Sequence, residues 1–251
     1  MEVHMEIQKK RWLLAQKHEL KFFLRQVRIS REKPNIHKEL WHGFLDYFSK
    51  NIIIEEDHRI LEVGCGARGL INYLPCGKKF ALDPLVKGCV EKGGKKDNVK
   101  LLRAVGEYLP FPDVFFELVI CLNVLDHTRN PQKVIQESFR VLKNEGIFSL
   151  SIFVSSKIFY FYHRIKEAIG IGDVLHPFHF TEDKVIALLK NSSFEIISID
   201  RDVYKVAGNR HSQKGLKNLL ISIIISIYRL TSPRKNINPF ISEFHIIAKK
   251  I

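Results

Sequence analysis

Cysteine is scarce in this sequence: the 251 residues include four, and all of them lie in the first half of the chain. No two of them form a C-x-x-C pair, the spacing that is typical of zinc sites and of many redox motifs. The spacing also argues against a disulfide framework, so we expect reduced thiols and no bound metal ion. The cysteines are Cys65, Cys76, Cys89 and Cys121.

Long apolar runs are absent as well. The first 12 residues, MEVHMEIQKKRW, are charged and contain no apolar core of the length found in signal peptides. The most apolar run, LLISIIISIYRL, has 12 residues, whereas a helix needs about 20 to cross a bilayer. We therefore expect a cytoplasmic protein.

Acidic residues are outnumbered, because 40 Lys and Arg against 27 Asp and Glu give a net charge of +13 at pH 7. The excess lies at the ends: residues 1–50 carry +5, residues 51–199 carry +1 and residues 200–251 carry +7. Basic ends can contact the phosphates of nucleic acid, of lipid headgroups or of a phosphorylated substrate. An ordinary lysine-rich surface has the same composition, so charge alone does not decide between these partners and plain solvation.

Short apolar runs rich in β-branched and aromatic residues recur along the chain. RILEV, KKFALD, FELVICLN and IFSLSIF are typical of buried parallel strands, and FEIISIDR and FHIIAKK predict two more strands near the C-terminus. Helical patterns precede and separate these runs. The alternation predicts a doubly wound α/β sheet.

Helical periodicity predicts four helices. Residues 6–28 and 36–49 predict two helices ahead of the first strand. PQKVIQESFRVLKNEG predicts a helix that begins near Pro131 and ends before Gly146. TEDKVIALLKNS predicts a further helix that is capped by Thr181. The predicted apolar face of the first helix consists of Leu13, Leu20, Leu24 and Val27.

A glycine-rich turn follows the first predicted strand, in the segment ILEVGCGARG. Gly64, Gly66 and Gly69 fit the pattern G-x-G-x-x-G, and Asp83 ends the next strand at the spacing of dinucleotide-binding folds. Glu62 lies at the end of the strand itself, where an unpaired carboxylate would be costly to bury. We expect the ammonium group of S-adenosylmethionine to meet Glu62, and the alternative is an exposed or salt-bridged glutamate at the strand end.

A third acid, Glu107 in AVGEYLPFPD, precedes the strand FELVICLN, where its side chain could reach the edge of an adenine ring. Asp83 lies where it could accept both hydroxyls of a ribose. Three successive strand-end loops would then each offer one group to a single extended ligand. An NAD-dependent oxidoreductase would explain the glycines and Asp83, but neither Glu62 nor Glu107.

Residues from about 59 to 150 resemble the class I S-adenosylmethionine-dependent methyltransferases, in particular the type 11 branch related to ubiquinone and menaquinone biosynthesis. The segments ILEVGCGARG, ALDP, AVGEYLPFPDVFFELVICLNVLDH and ESFRVLKNEGIFSLSI carry the resemblance. It implies a Rossmann-like sheet of seven strands with the last strand antiparallel, and S-adenosylmethionine as the cofactor. One departure from the family pattern is Arg68, which stands where a third close glycine is common.

The resemblance also implies a cofactor-binding set spread over the strand ends. Its residues are Glu62, Gly64, Cys65, Gly66, Asp83, Gly106, Glu107 and Asn123. The first four would line the methionine end, Asp83 would bind the ribose, the next two would flank the adenine, and the last would contact the cofactor from the fourth strand. His127, in LDHTRN, lies where a general base could reach the transferred methyl group, although a histidine there can equally cap the following turn.

The predicted domain organisation is a helical extension at 1–50 and a methyltransferase domain at 51–251 with insertions at 154–180 and 203–239. Insertions beyond the carboxyl ends of the strands should form a helical lid and the acceptor site. Both insertions are basic and rich in apolar or aromatic residues, as in VSSKIFYFYHRIKEAIG. Such segments suit an anionic membrane surface or a lipid-linked acceptor, and a buried lid helix has the same pattern.

The sequence therefore predicts an S-adenosylmethionine-dependent methyltransferase that acts on a small-molecule, lipid or saccharide acceptor by in-line methyl transfer, in the cytoplasm or peripheral to a membrane. An RNA methyltransferase would explain the net charge, but NVLDH stands where a proline-proline-aromatic tetrad would follow the fourth strand. The sequence also leaves open an NAD(P)-dependent oxidoreductase and a non-catalytic cofactor-binding protein.

Overall fold

The computed structural model describes residues 2–32, 36–86, 98–170, 176–201 and 241–251. The predicted insertion at 203–239 lies outside these residues, as does Cys89. The described strands form one seven-stranded sheet in the order β3-β2-β1-β4-β5-β7-β6. The strands are β1 (Arg59–Val63), β2 (Lys78–Leu82), β3 (Val99–Leu102), β4 (Phe116–Leu122), β5 (Leu142–Ser155), β6 (Phe194–Arg201) and β7 (Ile241–Lys250).

Five α-helices flank or precede the sheet in the described part of the chain. They are α1 (Glu2–Glu32), α2 (Ile36–Asn51), α3 (Pro131–Val141), α4 (Lys157–Ala168) and α5 (Glu182–Lys190). Two short 3-10 turns, Leu70–Tyr73 and Leu125–His127, follow β1 and β4. No helix within the described ranges is long and apolar enough to span a membrane.

The direction of the strands confirms the predicted sheet. Strands β1 to β5 pair in parallel with one another, whereas β7 is antiparallel to both β5 and β6. Chain order reverses between β1 and β4, which lie side by side in the sheet. In open α/β sheets, ligands bind beyond the carboxyl ends of the strands at such a reversal.

Both faces of the sheet are covered. Successive residues of β1 alternate between them, so that Ile60 packs with Phe44 and Phe48 of α2, while Leu61 packs with the buried face of α3 on the other side. Full burial of each such side chain stabilises the fold by about 1.5–3 kcal/mol. The helix α2 is therefore part of the packed core of the sheet.

Two details of the fold differ from the sequence predictions. The helix predicted to run almost to Gly146 ends at Val141, because the fully buried Leu142 adopts an extended backbone and pairs with Phe116 at the start of β5. The strand β3 was not among the predicted strands, since its four residues are too short a run to stand out. The remaining predicted strands and helices are confirmed, with ends that differ by a few residues, but Thr181 precedes α5 without making a side-chain capping hydrogen bond.

Candidate functional site

A cavity of about 660 Å³ lies at the carboxyl edge of the sheet, where the loops after β1, β2, β3 and β4 meet. All nine predicted site residues line this cavity. They are Glu62, Gly64, Cys65, Gly66, Asp83, Gly106, Glu107, Asn123 and His127. The volume lies within the range of about 300–1,000 Å³ that small-molecule sites occupy.

The glycine turn after β1 needs glycine for two different reasons. Gly64 has a φ of 71°, and a Cβ atom at this position would lie 2.5 Å from Cγ2 of Val124 in the loop after β4. Gly66 has a φ of 52°, and a Cβ atom there would meet nothing within 4 Å. The first glycine therefore lets the loops after β1 and β4 approach closely, and the second supplies the left-handed backbone that turns the chain along the cavity.

The partner of Glu62 differs from the one expected. Its Oε1 accepts a hydrogen bond from the backbone N–H of Leu70, and its Oε2 accepts one from Ile71, each at 3.0 Å. The buried carboxylate is thus held by the start of the 3-10 turn, and neither a ligand cation nor a salt bridge is needed to account for it. Burial nevertheless raises the pKa of Glu62 to about 7, against the lowering effect of these two hydrogen bonds and with a smaller raising contribution from Asp83.

Asp83 connects the loops after β1 and β2. Its Oδ2 accepts a hydrogen bond from the N–H of Gly66 at 3.0 Å, and its Oδ1 accepts one from the N–H of Leu85 at 2.8 Å. Burial raises the pKa of Asp83, and the two backbone hydrogen bonds act in the opposite direction. Each carboxylate oxygen has two lone pairs, so the group retains acceptor capacity for a ligand hydroxyl.

Glu107 likewise anchors a loop. Its Oε1 accepts hydrogen bonds from the N–H groups of Arg129 and Asn130, at 2.7 and 3.2 Å, just ahead of α3. The side chain of Asn130 in turn caps that helix by accepting a hydrogen bond from the N–H of Lys133. Glu107 therefore connects the loop after β3 to the loop after β4.

The loop after β4 supplies Asn123 and His127. Asn123 is an exposed residue with a φ of 55°, and its N–H donates to the carbonyl oxygen of Ser151 on β5. The imidazole of His127 lies between two carboxylates, with Nδ1 3.7 Å from Oε1 of Glu19 and Nε2 3.7 Å from Oδ2 of Asp126. His127 is thus an ionisable side chain at the edge of the cavity.

Residues 61–150, which contain all nine predicted cofactor and catalytic positions, match a family described as methyltransferase domain. Residues 61–150 of this chain are therefore a methyltransferase domain. The cofactor of this class is S-adenosylmethionine. The assignment to the ubiquinone and menaquinone branch stays a prediction.

Two curated relatives support the domain assignment. YcgJ of Bacillus subtilis, named an uncharacterized methyltransferase, is 28% identical over 109 residues, which are 38% of this chain and 40% of YcgJ. The sterol 24-C-methyltransferase ERG6B of Gibberella zeae is 27% identical over 164 residues, which are 60% of this chain and 43% of that protein. In sequence, the chain spans less than half the length of either relative.

Solved structures share the fold of the methyltransferase domain. The crystal structure of YcgJ superposes with a TM-score of 0.55 and 20% identity, covering 83% of this chain and 98% of its own. The cyclase SpnF superposes with a TM-score of 0.55 and 15% identity, covering 82% of this chain and 79% of its own. Because a cyclase has this fold, the fold alone does not identify the reaction.

One set of cavity residues comes from the N-terminal helix, and the sequence patterns did not reveal it. Helix α1 lies along the cavity and contributes Trp12, Gln16, Glu19, Phe22, Phe23 and Gln26. The predicted apolar face was partly wrong, since Leu13 and Leu20 are exposed while Ala15, Phe23 and Val27 are buried. The available signal was the helical spacing of Trp12, Gln16, Glu19 and Phe23. A face that mixes polar and aromatic residues is hard to recognise, because it is not clearly more hydrophobic than the rest of the helix.

Arg68, the departure from the family pattern, belongs to the contact between α1 and the methyltransferase sheet. Its guanidinium lies 5.4 Å from the ring centre of Phe22, and its carbonyl oxygen accepts a hydrogen bond from Nε1 of Trp41 at 2.6 Å. In the loop after β4, the guanidinium of Arg129 lies 5.7 Å from the ring of Trp12. Each such cation–π contact contributes about 0.5–1 kcal/mol at an exposed site, so both loops help to hold α1 over the cavity.

Proposed function

We propose that this chain is an S-adenosylmethionine-dependent methyltransferase that transfers a methyl group in line to a small-molecule or lipid-linked acceptor. The charge of the cavity is the observation that carries the proposal. Among the described residues, four acidic side chains and one arginine, Arg68, line the cavity, although the whole chain has a net charge of +13. The acidic side chains belong to Glu19, Glu62, Asp83 and Glu107. Such a lining suits a ligand with sulfonium and ammonium groups and disfavours the pyrophosphate of a dinucleotide.

The cofactor-binding residues fit this ligand. Gly64, Cys65 and Gly66 would approach its methionine end through their backbone, beside Glu62. Asp83 would accept the ribose hydroxyls through its remaining lone pairs, and Gly106 and Glu107 would flank the adenine. Asn123 would contact the cofactor from the end of β4. When bound, the cofactor supplies an activated methyl group on a sulfonium leaving group.

Methyl transfer requires little of the protein beyond the correct positioning of the two reactants. Holding the acceptor atom in line with the sulfonium–carbon bond and excluding water supplies much of the acceleration. We assign the catalytic role to His127, because it is an ionisable group at the cavity edge whose Nδ1 has no hydrogen-bond partner among the described residues. It would accept a proton from the acceptor if the acceptor loses one.

The surface of α4 favours an apolar or lipid-linked acceptor. No residue of this helix is buried, and the exposed fractions of Ile158 and Phe161 are 82% and 65%. Lysines and an arginine lie on the same helix, as expected for contact with an anionic interface. A sterol methyltransferase among the relatives agrees with an apolar acceptor. We propose a cytoplasmic enzyme with peripheral contact to the membrane.

The extension at 1–50 and the domain at 51–251 would act as one catalytic unit. The proposal rests on α1, which lines the cavity, and on α2, which packs against the sheet. A truncated protein that lacks the first 50 residues should then lose cofactor binding as well as stability.

An acceptor screen with a methyl-labelled cofactor tests the proposed reaction. The full chain is incubated with separate aqueous and lipid extracts, and label is expected in products of the lipid fraction. Asp83→Asn should lose most of the transfer. Asp46→Asn is the matched control, because Asp46 is an exposed partner of Lys50 on α2, and it should transfer normally. Label in RNA alone would favour a nucleic-acid methyltransferase.

A further inference from the structure

Three side chains with metal-binding atoms meet at the edge of the cavity. Asp126 and His127 lie in the 3-10 turn after β4, and His176 follows α4 along the chain. One ligand atom from each lies within 4.8 Å of the ligand atoms of the other two. The rings of His127 and His176 have their centres 4.8 Å apart. The fold thus gathers two imidazoles and one carboxylate from segments about 50 residues apart.

The burial of this group sets it apart from an ordinary polar surface. Asp126 has an exposed fraction of 8%, and its Oδ1 has no hydrogen-bond partner in the described part of the chain. Nδ1 of His127 is also buried without a hydrogen bond from those residues. Buried polar atoms are almost always paired, and each exception needs an explanation such as a bound ion. A cation between these side chains would satisfy the Asp126 carboxylate.

We propose that Asp126, His127 and His176 bind a divalent transition-metal ion. Two imidazole nitrogens and one carboxylate oxygen suit an ion of intermediate softness such as Zn²⁺ or Fe²⁺. Bonds of about 2.0–2.2 Å would place the ligand atoms about 3 to 3.5 Å apart, which side-chain rotation can reach from the observed spacing. The expectation of no metal rested on the spacing of cysteines, which these ligands do not involve.

Glu19 has the position of a supporting carboxylate. Nε2 of His127 faces Asp126, whereas Nδ1 faces Oε1 of Glu19 at 3.7 Å. A histidine that binds a metal through one nitrogen commonly donates the other N–H to a carboxylate, which fixes the orientation of the ring. Glu19 of helix α1 would therefore orient the imidazole ring of His127 through the nitrogen that does not bind the ion.

The ion would act on the acceptor, and this step rests on the proposed methyl transfer. Three protein ligands leave at least one coordination position, and His127 lines the cavity. An acceptor hydroxyl that reaches the ion would lose its proton to solvent more readily. Its oxygen would then bond to the methyl carbon while the sulfonium–carbon bond breaks and its electron pair stays on sulfur. The acceptor class would be compounds with an ionisable hydroxyl, and His127 would serve as a ligand instead of a free base.

Zinc titration of the chelator-treated full chain tests the site directly. Calorimetry should give about one ion per chain, and Asp126→Asn and His176→Gln should each weaken the affinity by at least about 10-fold. His58→Gln is the matched control, because it disrupts a second group with metal-binding spacing among the described residues, the surface cluster of Glu55, Asp57 and His58, and it should leave the affinity unchanged. Thermal unfolding of every variant shows that it is folded.

Two results would overturn the proposal: no zinc binding, or binding that Asp126→Asn and His176→Gln leave intact while His58→Gln removes it. Either result would leave His127 in the role of a general base. Cofactor titrations on the same samples separate this proposal from the proposed function. Zinc binding without S-adenosylmethionine binding would contradict only the function, and the reverse would contradict only the metal site.

Discussion

Replacing Glu62 with glutamine removes a carboxylate whose pKa burial raises to about 7, from an ordinary value of 4.5. The folded protein therefore favours the neutral acid, and the stabilisation is fully present below the unfolded pKa. It is lost as the pH rises from about 4.5 to about 7. Each pKa unit corresponds to about 1.4 kcal/mol, so the free energy of unfolding should fall by up to about 3 kcal/mol across this window because of Glu62.

The glutamine variant has no such pH dependence at this position. It keeps one carbonyl acceptor for the N–H groups of Leu70 and Ile71, so it loses about 1–3 kcal/mol at every pH. This loss does not depend on pH, so it does not affect how steeply the free energy of unfolding changes with pH. As the pH rises, the free energy of unfolding of the wild type should therefore fall relative to that of the variant by up to about 3 kcal/mol.

Urea unfolding of both proteins at several values between about pH 4.5 and 8 measures this difference. Glu145→Gln serves as the control, because Glu145 is an exposed partner of Lys249 and its removal should change the slope little. Stability curves of wild type and Glu62→Gln that stay parallel across the window would refute the reasoning about Glu62.

Three further predictions concern the cofactor, the helix cap and the basic ends. Asp83→Asn should weaken S-adenosylmethionine by about 1–3 kcal/mol in calorimetry and should also lower stability, since one of two backbone N–H groups loses its acceptor; Asp46→Asn should do neither. Asn130→Ala should cost about 1 kcal/mol in urea unfolding, because it removes the cap of α3. The protein should sediment with anionic vesicles more than with neutral ones and be released by salt, as the Debye length falls from about 10 Å at 0.1 M to about 3 Å at 1 M. Replacing four basic residues outside the described part of the chain with glutamine should reduce vesicle binding and leave cofactor affinity unchanged. Equal binding of the unmodified protein to both vesicle types would contradict the prediction of an anionic contact. The four basic residues are Lys214, Lys217, Arg234 and Lys235.

The sheet was predictable because its signals are local. Short β-branched runs mark the buried strands, and the glycines at 64 and 66 mark a turn that has to pass close to the next loop. The end of α3 was harder to predict, because Leu142 has the spacing of a buried helical residue. Its pairing with Phe116 across the sheet decides its conformation instead, and a tertiary contact of this kind leaves no trace in the local pattern.

That the predicted residues lie at one cavity could be read from the sequence, but their contacts could not, and their roles towards a cofactor stay predictions. The three strand-end acids do share one cavity, but Glu62 and Glu107 also accept hydrogen bonds from backbone N–H groups of neighbouring loops. Glu62 was expected to need a cation because sequence patterns do not reveal the N–H groups that a turn leaves available. Glu19 was missed for a different reason, since its place in the cavity depends on how α1 packs.

Calorimetric titration of the full chain with S-adenosylmethionine and with NADH, side by side, tests the central claim most directly. The acidic cavity should bind S-adenosylmethionine and S-adenosylhomocysteine, and Asp83→Asn should weaken both. NADH should give no measurable binding, because its pyrophosphate would face four acidic side chains and one arginine among the described cavity residues. Tight binding of NADH with no response to S-adenosylmethionine would contradict the account.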